Sequence, residues 1–364
     1  MSAPELSPTA VRDRAEGVVV LSTGDVRLPL YLPATAAPRY ADQRYRAAQG
    51  EPDLRAAIAD WSLAGLDPAQ VLVTPGARQA LLLAFATLPA ERREILLPSP
   101  YWASYPKLAG AVGAELTVLD RLDLDALRAA AGPRTGAVLV NSPRNPDGSV
   151  IGAEQLAELV DWTRAADLLL IFDQVYRGVP LPGPLAPSPL DLPGGLPEHC
   201  LVIDGLTKSH ALAGLRIGWL IAAPALLNPM SGLASHLIGG TCSAAQDAAL
   251  DALRQPGDAR SELGRQLAAN RDYGVARLDQ LAGVRCPSPA GGIFLFPDLA
   301  GWLASANVPR SELVGWLEQA HAVAVVDGAA FGAPGHLRLS FAVDAAQFQL
   351  GVDRLVGALR EPGR

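Results

Sequence analysis

The chain has 364 residues, 49% hydrophobic and 18% charged, with a net charge of −7 and a pI near 5.3. That composition builds a sizeable core, enough for two or three domains or one large domain with an appendage, and it excludes a disordered chain. The acidic balance argues against nucleic acid or an anionic membrane as partner, because both demand a concentrated basic face. No apolar run reaches the ~18 residues of a membrane helix and the first residues lack an apolar segment behind a basic start, so the expected compartment is the cytoplasm. Cys200, Cys242 and Cys286 are odd in number and far apart, without a CxxC or Cys/His cluster, so neither a disulfide framework nor a metal site is expected.

Along the chain, short apolar runs end in polar or glycine-rich turns, and each turn leads into a helical period. The clearest are "VLVTPGARQALLLAF" from Val71, "EILLPSPYWASYPKLAGAVG" from Glu94, "AVLVNSPRNPDGSVIGAEQLAELVDWTRAAD" from Ala137, "LLLIFDQVYRG" from Leu168 and "CLVIDGLTKSH" from Cys200. Runs without polar alternation suit strands buried on both faces. The Pro-rich stretch from Val179 reads as a loop between strands, because strand signals resume after it. Beyond Gly240 come long Ala/Leu/Arg-rich helices. After them the pattern predicts a strand in "GGIFLFPDL", a helix over 311–321, strands in "HAVAVVDG" and "HLRLSFA", and a final helix over 345–360. The expected fold is α/β: a large domain, residues 41–250, with a mainly parallel (mixed) sheet covered by helices on both faces, plus a smaller α+β domain made of residues 1–40 and 251–364.

In such a sheet, ligands sit beyond the carboxyl ends of the strands. Unusual polar residues gather there: Asn141 and Asn145, Asp173 and Tyr176, Asp204, Thr207 and Lys208, and the "TPGAR" turn. Each alone is an ordinary turn former; four strand ends together point to a site. Lys208 is one of two lysines among 30 basic residues, the other being Lys107, in a chain that otherwise uses arginine. A lysine at this rim is either the partner of a buried acid or an amine nucleophile with a lowered pKa. The glycine turn opening a helix offers backbone N–H groups to an anion, and Arg216 offers a planar fork. A phosphate seat, an amine and a buried carboxylate together suit pyridoxal phosphate.

These residues resemble the aspartate aminotransferase superfamily, the class I/II aminotransferases of the fold type I pyridoxal phosphate enzymes. "TKSHALAGLRIGW" is similar to the family's lysine motif, "NSPRNPDG" to its N-P-x-N-P-T-G and "DQVY" to its D-E-x-Y. "YRAAQGEPDLRAAI", "PSPYWASYP" and "GAAFGAPGHLRLSFA" resemble three further segments in the right order, between Gly24 and Ala342. The resemblance implies that Lys208 is the Schiff-base lysine and proton carrier, that Asp173 keeps the pyridine nitrogen protonated, and that Asn145 and Tyr176 donate to the ring's phenolic oxygen. It places the phosphate on Gly76, Ala77, Arg78 and Arg216, with Thr207 nearby and Tyr45 reaching in from the second subunit of a homodimer. Trp102, or the adjacent Tyr101, stacks on the ring, Arg338 takes the substrate α-carboxylate, and the backbone at Gly24 closes over it.

The chain departs from the family pattern at Gly205, where a Ser or Thr is usual three positions before the lysine, and at Ser142, Asp147, Gln174 and Asp327. The loss of a hydroxyl at Gly205 predicts weaker hold on the phosphate. The implied activity is transamination between an α-amino acid and a 2-oxo acid. A lyase, cyclase or oxidase using the same cofactor is the alternative. A non-catalytic sensor or regulator half lacks an added DNA-binding segment, and a dehydrogenase lacks GxGxxG after the first strand.

Overall fold

The computed structural model describes residues 15–28, 46–255, 258–306 and 308–360. After a two-residue strand β1 (Val19–Val20) come β2 (Val71–Thr74), β3 (Glu94–Pro98), β4 (Glu115–Leu119), β5 (Thr135–Asn141), β6 (Leu169–Asp173), β7 (Cys200–Gly205) and β8 (Gly218–Ala222). These last seven form one sheet in the order β2-β8-β7-β6-β5-β3-β4. Its central pairings are parallel, and β8 runs antiparallel to both β7 and β2. The mixed character expected of the sheet therefore resides in β8. The sequence reading did not mark β8 or the half-exposed β4 as strands.

Successive residues of each strand serve opposite faces. Val71 and Val73, Val138 and Val140, Leu170 and Phe172, Cys200 and Val202 enter one core with helices Pro52–Ser62, Ala153–Ala165 and Ser243–Leu253. Leu72, Ala137, Leu139, Ile171, Leu201 and Ile203 enter the other with helices Ala77–Ala86, Tyr105–Ala111 and Pro224–Leu237. This two-sided burial is why the strands read as unbroken apolar runs. Each fully buried large apolar side chain contributes about 1.5–3 kcal/mol, and truncating Phe172 to Ala costs about 3–5 kcal/mol.

The remaining strands are short: β9 (Phe294–Leu295), β10 (Val323–Ala324), β11 (Val326–Asp327) and β12 (Leu337–Ser340). The run expected as one strand, "HAVAVVDG", is interrupted at Val325; β10 pairs with β1, while β11 joins β12 and β9 in an antiparallel sheet. A third core gathers Val19 and Leu21 with Leu267, Phe294, Phe341, Phe348 and Leu355. The N-terminal strand thus packs with the C-terminal elements, including the long helices Asp258–Leu278 and Ala345–Arg360.

One consequence of the topology positions the site. Since β2 and β7 both run antiparallel to β8, they point the same way as β3, β5 and β6. All these strands deliver their carboxyl ends to one rim, where β8 has its amino end. Asn141, Asp173 and Asp204 arrive there from the parallel strands, the Thr74–Gly76 turn arrives from β2, and Arg216 arrives just before β8 starts.

Candidate active site

A cavity of about 400 Å³ opens at this rim. Gly24, Ala77, Arg78, Trp102, Asn145, Asp173, Tyr176, Thr207, Lys208, Arg216 and Arg338 all line it. Gly76 lies against Arg216 at its edge. Tyr45 lies outside the described residues. Tyr101 lines a separate, smaller cavity, so of the two neighbouring aromatics only Trp102 faces this one.

Lys208 sits on the short helix Leu206–Ser209 that follows β7 directly, and its Nζ donates to the carbonyl of Gly24. Burial lowers its pKa to about 8, helped by Arg338, Arg78 and Arg216 and opposed by Asp25. More of the amine is therefore free base near neutrality than for an exposed lysine, though the charged form still predominates at pH 7. Asp173, at the end of β6, accepts from the Tyr105 hydroxyl at 2.7 Å and from Val175 N at 3.2 Å. Burial pushes its carboxyl up to about 6 in spite of these bonds and of Lys208. The Tyr176 phenol is likewise pushed up, chiefly by burial.

Asn141 holds the corner together: its Nδ2 donates to Asp173 O at 2.8 Å while its Oδ1 accepts from Asn145 N at 2.8 Å. Asn145 Oδ1 in turn accepts from Arg338 Nη1 at 3.0 Å. Arg338, on β12, is 0% exposed. Its guanidinium lies between the rings of Phe294 (4.0 Å) and Phe331 (4.7 Å), with Nη2 on Ser22 O at 3.4 Å. Among the described residues no carboxylate pairs with it, and its buried Nε has no hydrogen-bond partner. Burial brings its pKa down to about 10. A guanidinium desolvated to this extent without an acid is a receptor for an anion.

The opposite end of the cavity is a second anion seat. Helix Ala77–Ala86 begins on Gly76 at φ 81° with no side-chain cap, leaving first-turn amides for a ligand. The Gly76 backbone at φ 81° is one that residues with side chains rarely adopt, and a Cβ there would also lie 2.6 Å from Arg216 Nη2, which would have to move. Arg216 itself is left-handed (φ 55°), which turns the chain into β8. Arg78 stacks over Trp102 at 5.0 Å, and Trp102 meets Tyr105 edge-on at 5.3 Å.

The departures have structural reasons. A Cβ on Gly205 would come 2.9 Å from Ile217 O and 3.0 Å from Gly218 Cα, so the close crossing of β8 leaves no room for the expected hydroxyl; Thr207 lines the cavity nearby. Asp147 pairs with Arg144, Asp327 accepts from Ala329 N, and Gln174 bonds Asp204 and Ser188. Ser142 Oγ accepts from Ile151 N. None of these four lines the cavity.

Sequence reasoning missed Tyr105 and Asp25. Tyr105 lies within the quoted "PSPYWASYP", but an aromatic at the start of a helix reads as core; the signal would have been a hydroxyl with no other buried partner opposite Asp173. Asp25 lines the cavity next to Gly24. Together, an amide nest with an arginine, a flat aromatic face, a buried acid and a buried amine fit pyridoxal phosphate.

Comparison with known proteins agrees. The family model for aminotransferase class I and II matches residues 17–355. An aspartate aminotransferase of Streptomyces avermitilis is 33% identical over 356 residues, covering 93% of this chain and 86% of the relative. One from Geobacillus stearothermophilus is 34% identical over 80% of this chain and 77% of its own length. Among solved structures, an aspartate aminotransferase of Thermotoga maritima superposes with a TM-score of 0.86 at 29% identity, covering 95% of this chain and 93% of its own. The chain belongs to the class I and II aminotransferases, and it is a pyridoxal phosphate-dependent enzyme that exchanges an amino group between an amino acid and an oxo acid.

Proposed function

We propose a division of labour within this cavity. Gly76, Ala77, Arg78 and Arg216 hold the cofactor phosphate with Thr207 beside them, Trp102 lies against its ring, Asp173 serves the ring nitrogen, and Asn145 and Tyr176 serve its phenolic oxygen. When bound, pyridoxal phosphate supplies the carbonyl carbon that takes up the amino group and the electron sink for the substrate Cα–H bond. Lys208 anchors it covalently through Nζ and, once released, carries the proton: a free amine at about 8 both accepts and returns it near neutrality. Arg338 grips the α-carboxylate in its fork, and Gly24 closes the backbone over it. The Tyr105 hydroxyl orients Asp173.

The observation that carries this reading is the buried Arg338, without an acid partner among the described residues, in one cavity with the buried Lys208 amine. The reading extends to a homodimer in which Tyr45 completes the phosphate seat across the interface. It also extends to a large domain over residues 41–250 and a small one from 1–40 and 251–364, and to a cytoplasmic enzyme. The three free cysteines suit that compartment.

Borohydride reduction of the holoenzyme followed by peptide mapping tests the anchor, since the chain has only Lys107 and Lys208. Label on Lys208 is expected; label on Lys107 overturns the assignment. A panel of amino donors, starting with aspartate as the donor named for the relatives, then defines the side chain. Amino acid alone should yield one equivalent of 2-oxo acid, whereas elimination products or peroxide would contradict transamination.

A further inference from the structure

A second cavity, of about 610 Å³, lies behind the reaction site and shares Tyr176 with it as a wall. One side is cationic. Arg260, in the first turn of helix Asp258–Leu278, stacks its guanidinium 4.3 Å over the Trp61 ring and gives Nη2 to Gly178 O at 2.7 Å. Its Nε is buried without a hydrogen-bond partner, and among the described residues no acid pairs with it. Arg271 lines the same cavity, and its acid partner among the described residues, Asp272, is 64% exposed, so water screens that pair. The other side is apolar, the Pro-rich loop from Val179 to Pro187, and the Trp61 ring under Arg260 adds an aromatic surface beside the guanidinium.

The acid that lines this space, Asp204, and the third arginine, Arg177, are already occupied. Arg177 lies in a two-pronged pair with Asp191 at 2.7 Å. Asp204 accepts from Gly205 N at 2.7 Å and from Gln174 Nε2 at 3.2 Å, and burial raises its pKa to about 7, which reduces its charge near neutrality. The uncompensated charge is positive, and it faces an aromatic and proline surface. Nothing in the amino-transfer chemistry uses this arrangement.

We propose that this cavity is a second binding site, for a small amphipathic organic anion with a carboxylate or sulfonate head on a flat apolar body. The head pairs with Arg260, the body lies along the Pro-rich loop, and Arg271, eleven residues and about 16 Å further along the same helix, adds a longer-range attraction. The cavity borders the reaction site: Trp61 also packs on His210 at 5.0 Å, two residues beyond Lys208, and Gln174 follows Asp173 in the chain.

The test uses the holoenzyme with naphthalene-1-carboxylate as probe, titrated by calorimetry. Because the probe's carboxylate can also enter the reaction site, Arg338→Gln serves as the background. The expected result is one equivalent of saturable binding retained in Arg338→Gln and weakened at least tenfold when Arg260→Gln is added. Arg271→Gln, which leaves the Gly178 contact intact, guards against a folding defect and should weaken binding several-fold while the near-ultraviolet dichroism stays unchanged. Loss of all binding in Arg338→Gln alone, or binding indifferent to both Arg260→Gln and Arg271→Gln, overturns the site. Complete displacement by inorganic phosphate at constant ionic strength overturns the amphipathic class, because it shows a plain anion hole. None of these outcomes bears on the Lys208 labelling experiment, so the two readings fail separately.

Discussion

Tyr105→Phe keeps the aromatic ring against Trp102 and removes only the hydroxyl that donates to Asp173 Oδ2 at 2.7 Å. A hydrogen bond to a charged group contributes about 1.5–3 kcal/mol net, which corresponds to ~1–2 pKa units at ~1.36 kcal/mol each. The carboxyl of Asp173, held at about 6, therefore rises further in the variant. The sign follows from linkage. Burial raises the folded-state pKa above the unfolded value, so the folded protein keeps a proton that the unfolded chain releases. The stability from this group is complete below the ordinary carboxylate range and is lost as pH climbs through about 6. In Tyr105→Phe the loss continues to higher pH. Its stability deficit relative to the parent should be small at pH ~5 and should grow by about 1.5–3 kcal/mol by pH ~8.5. At roughly 2–4 °C per kcal/mol, that is several degrees of Tm. Thermal unfolding of the cofactor-free protein at the two pH values measures it. An equal deficit at both would refute the reasoning, since it would mean that the hydroxyl fills space without touching the charge of Asp173.

Gly76→Ala puts a methyl 2.6 Å from Arg216 Nη2 on a backbone at φ 81°, and spectral titration should find cofactor affinity at least about tenfold lower. Arg338→Gln should lower kcat/KM about 10²–10³-fold for amino acid and oxo acid alike, with cofactor binding unchanged; a loss for only one substrate would remove Arg338 from the shared carboxylate seat. The rate at which cofactor-free protein captures pyridoxal phosphate should rise with pH through about 8, where Lys208 deprotonates, and Asp25→Asn should shift that midpoint downward because Asp25 favours the charged amine. Stopped-flow absorbance reads both.

The parallel strands were legible because burial on both faces removes polar alternation, and each ends in a turn residue with few other reasons to be there. The site followed from them: Asn141 and Asp173 end their strands, Lys208 sits on the turn of helix directly after β7, and the topology brings such residues together. The direction of β8 was not legible, since "GWLIA" reads the same whether its neighbours run with or against it, and only the pairing of Thr74 and Gly205 with Gly218 fixes it. Nor was the split of "HAVAVVDG", because its two halves are equally apolar and are separated only by which partner strand, β1 or β12, lies beside each. The positioning role of Tyr105 depends on a contact 68 residues away in sequence, which no local pattern encodes.

The setting of Arg338 between two phenylalanine rings has a consequence for what the enzyme rejects. The guanidinium bears the cost of burial with two neutral oxygen acceptors, Asn145 Oδ1 and Ser22 O, and no counter-charge among the described residues. A carboxylate relieves a penalty already present, and a primary amine with the same side chain but no carboxylate leaves that penalty in place. On the proposed role of Arg338, exclusion of simple amines rests on the part of the molecule that every amino acid shares, which leaves the rest of the cavity free to choose among side chains.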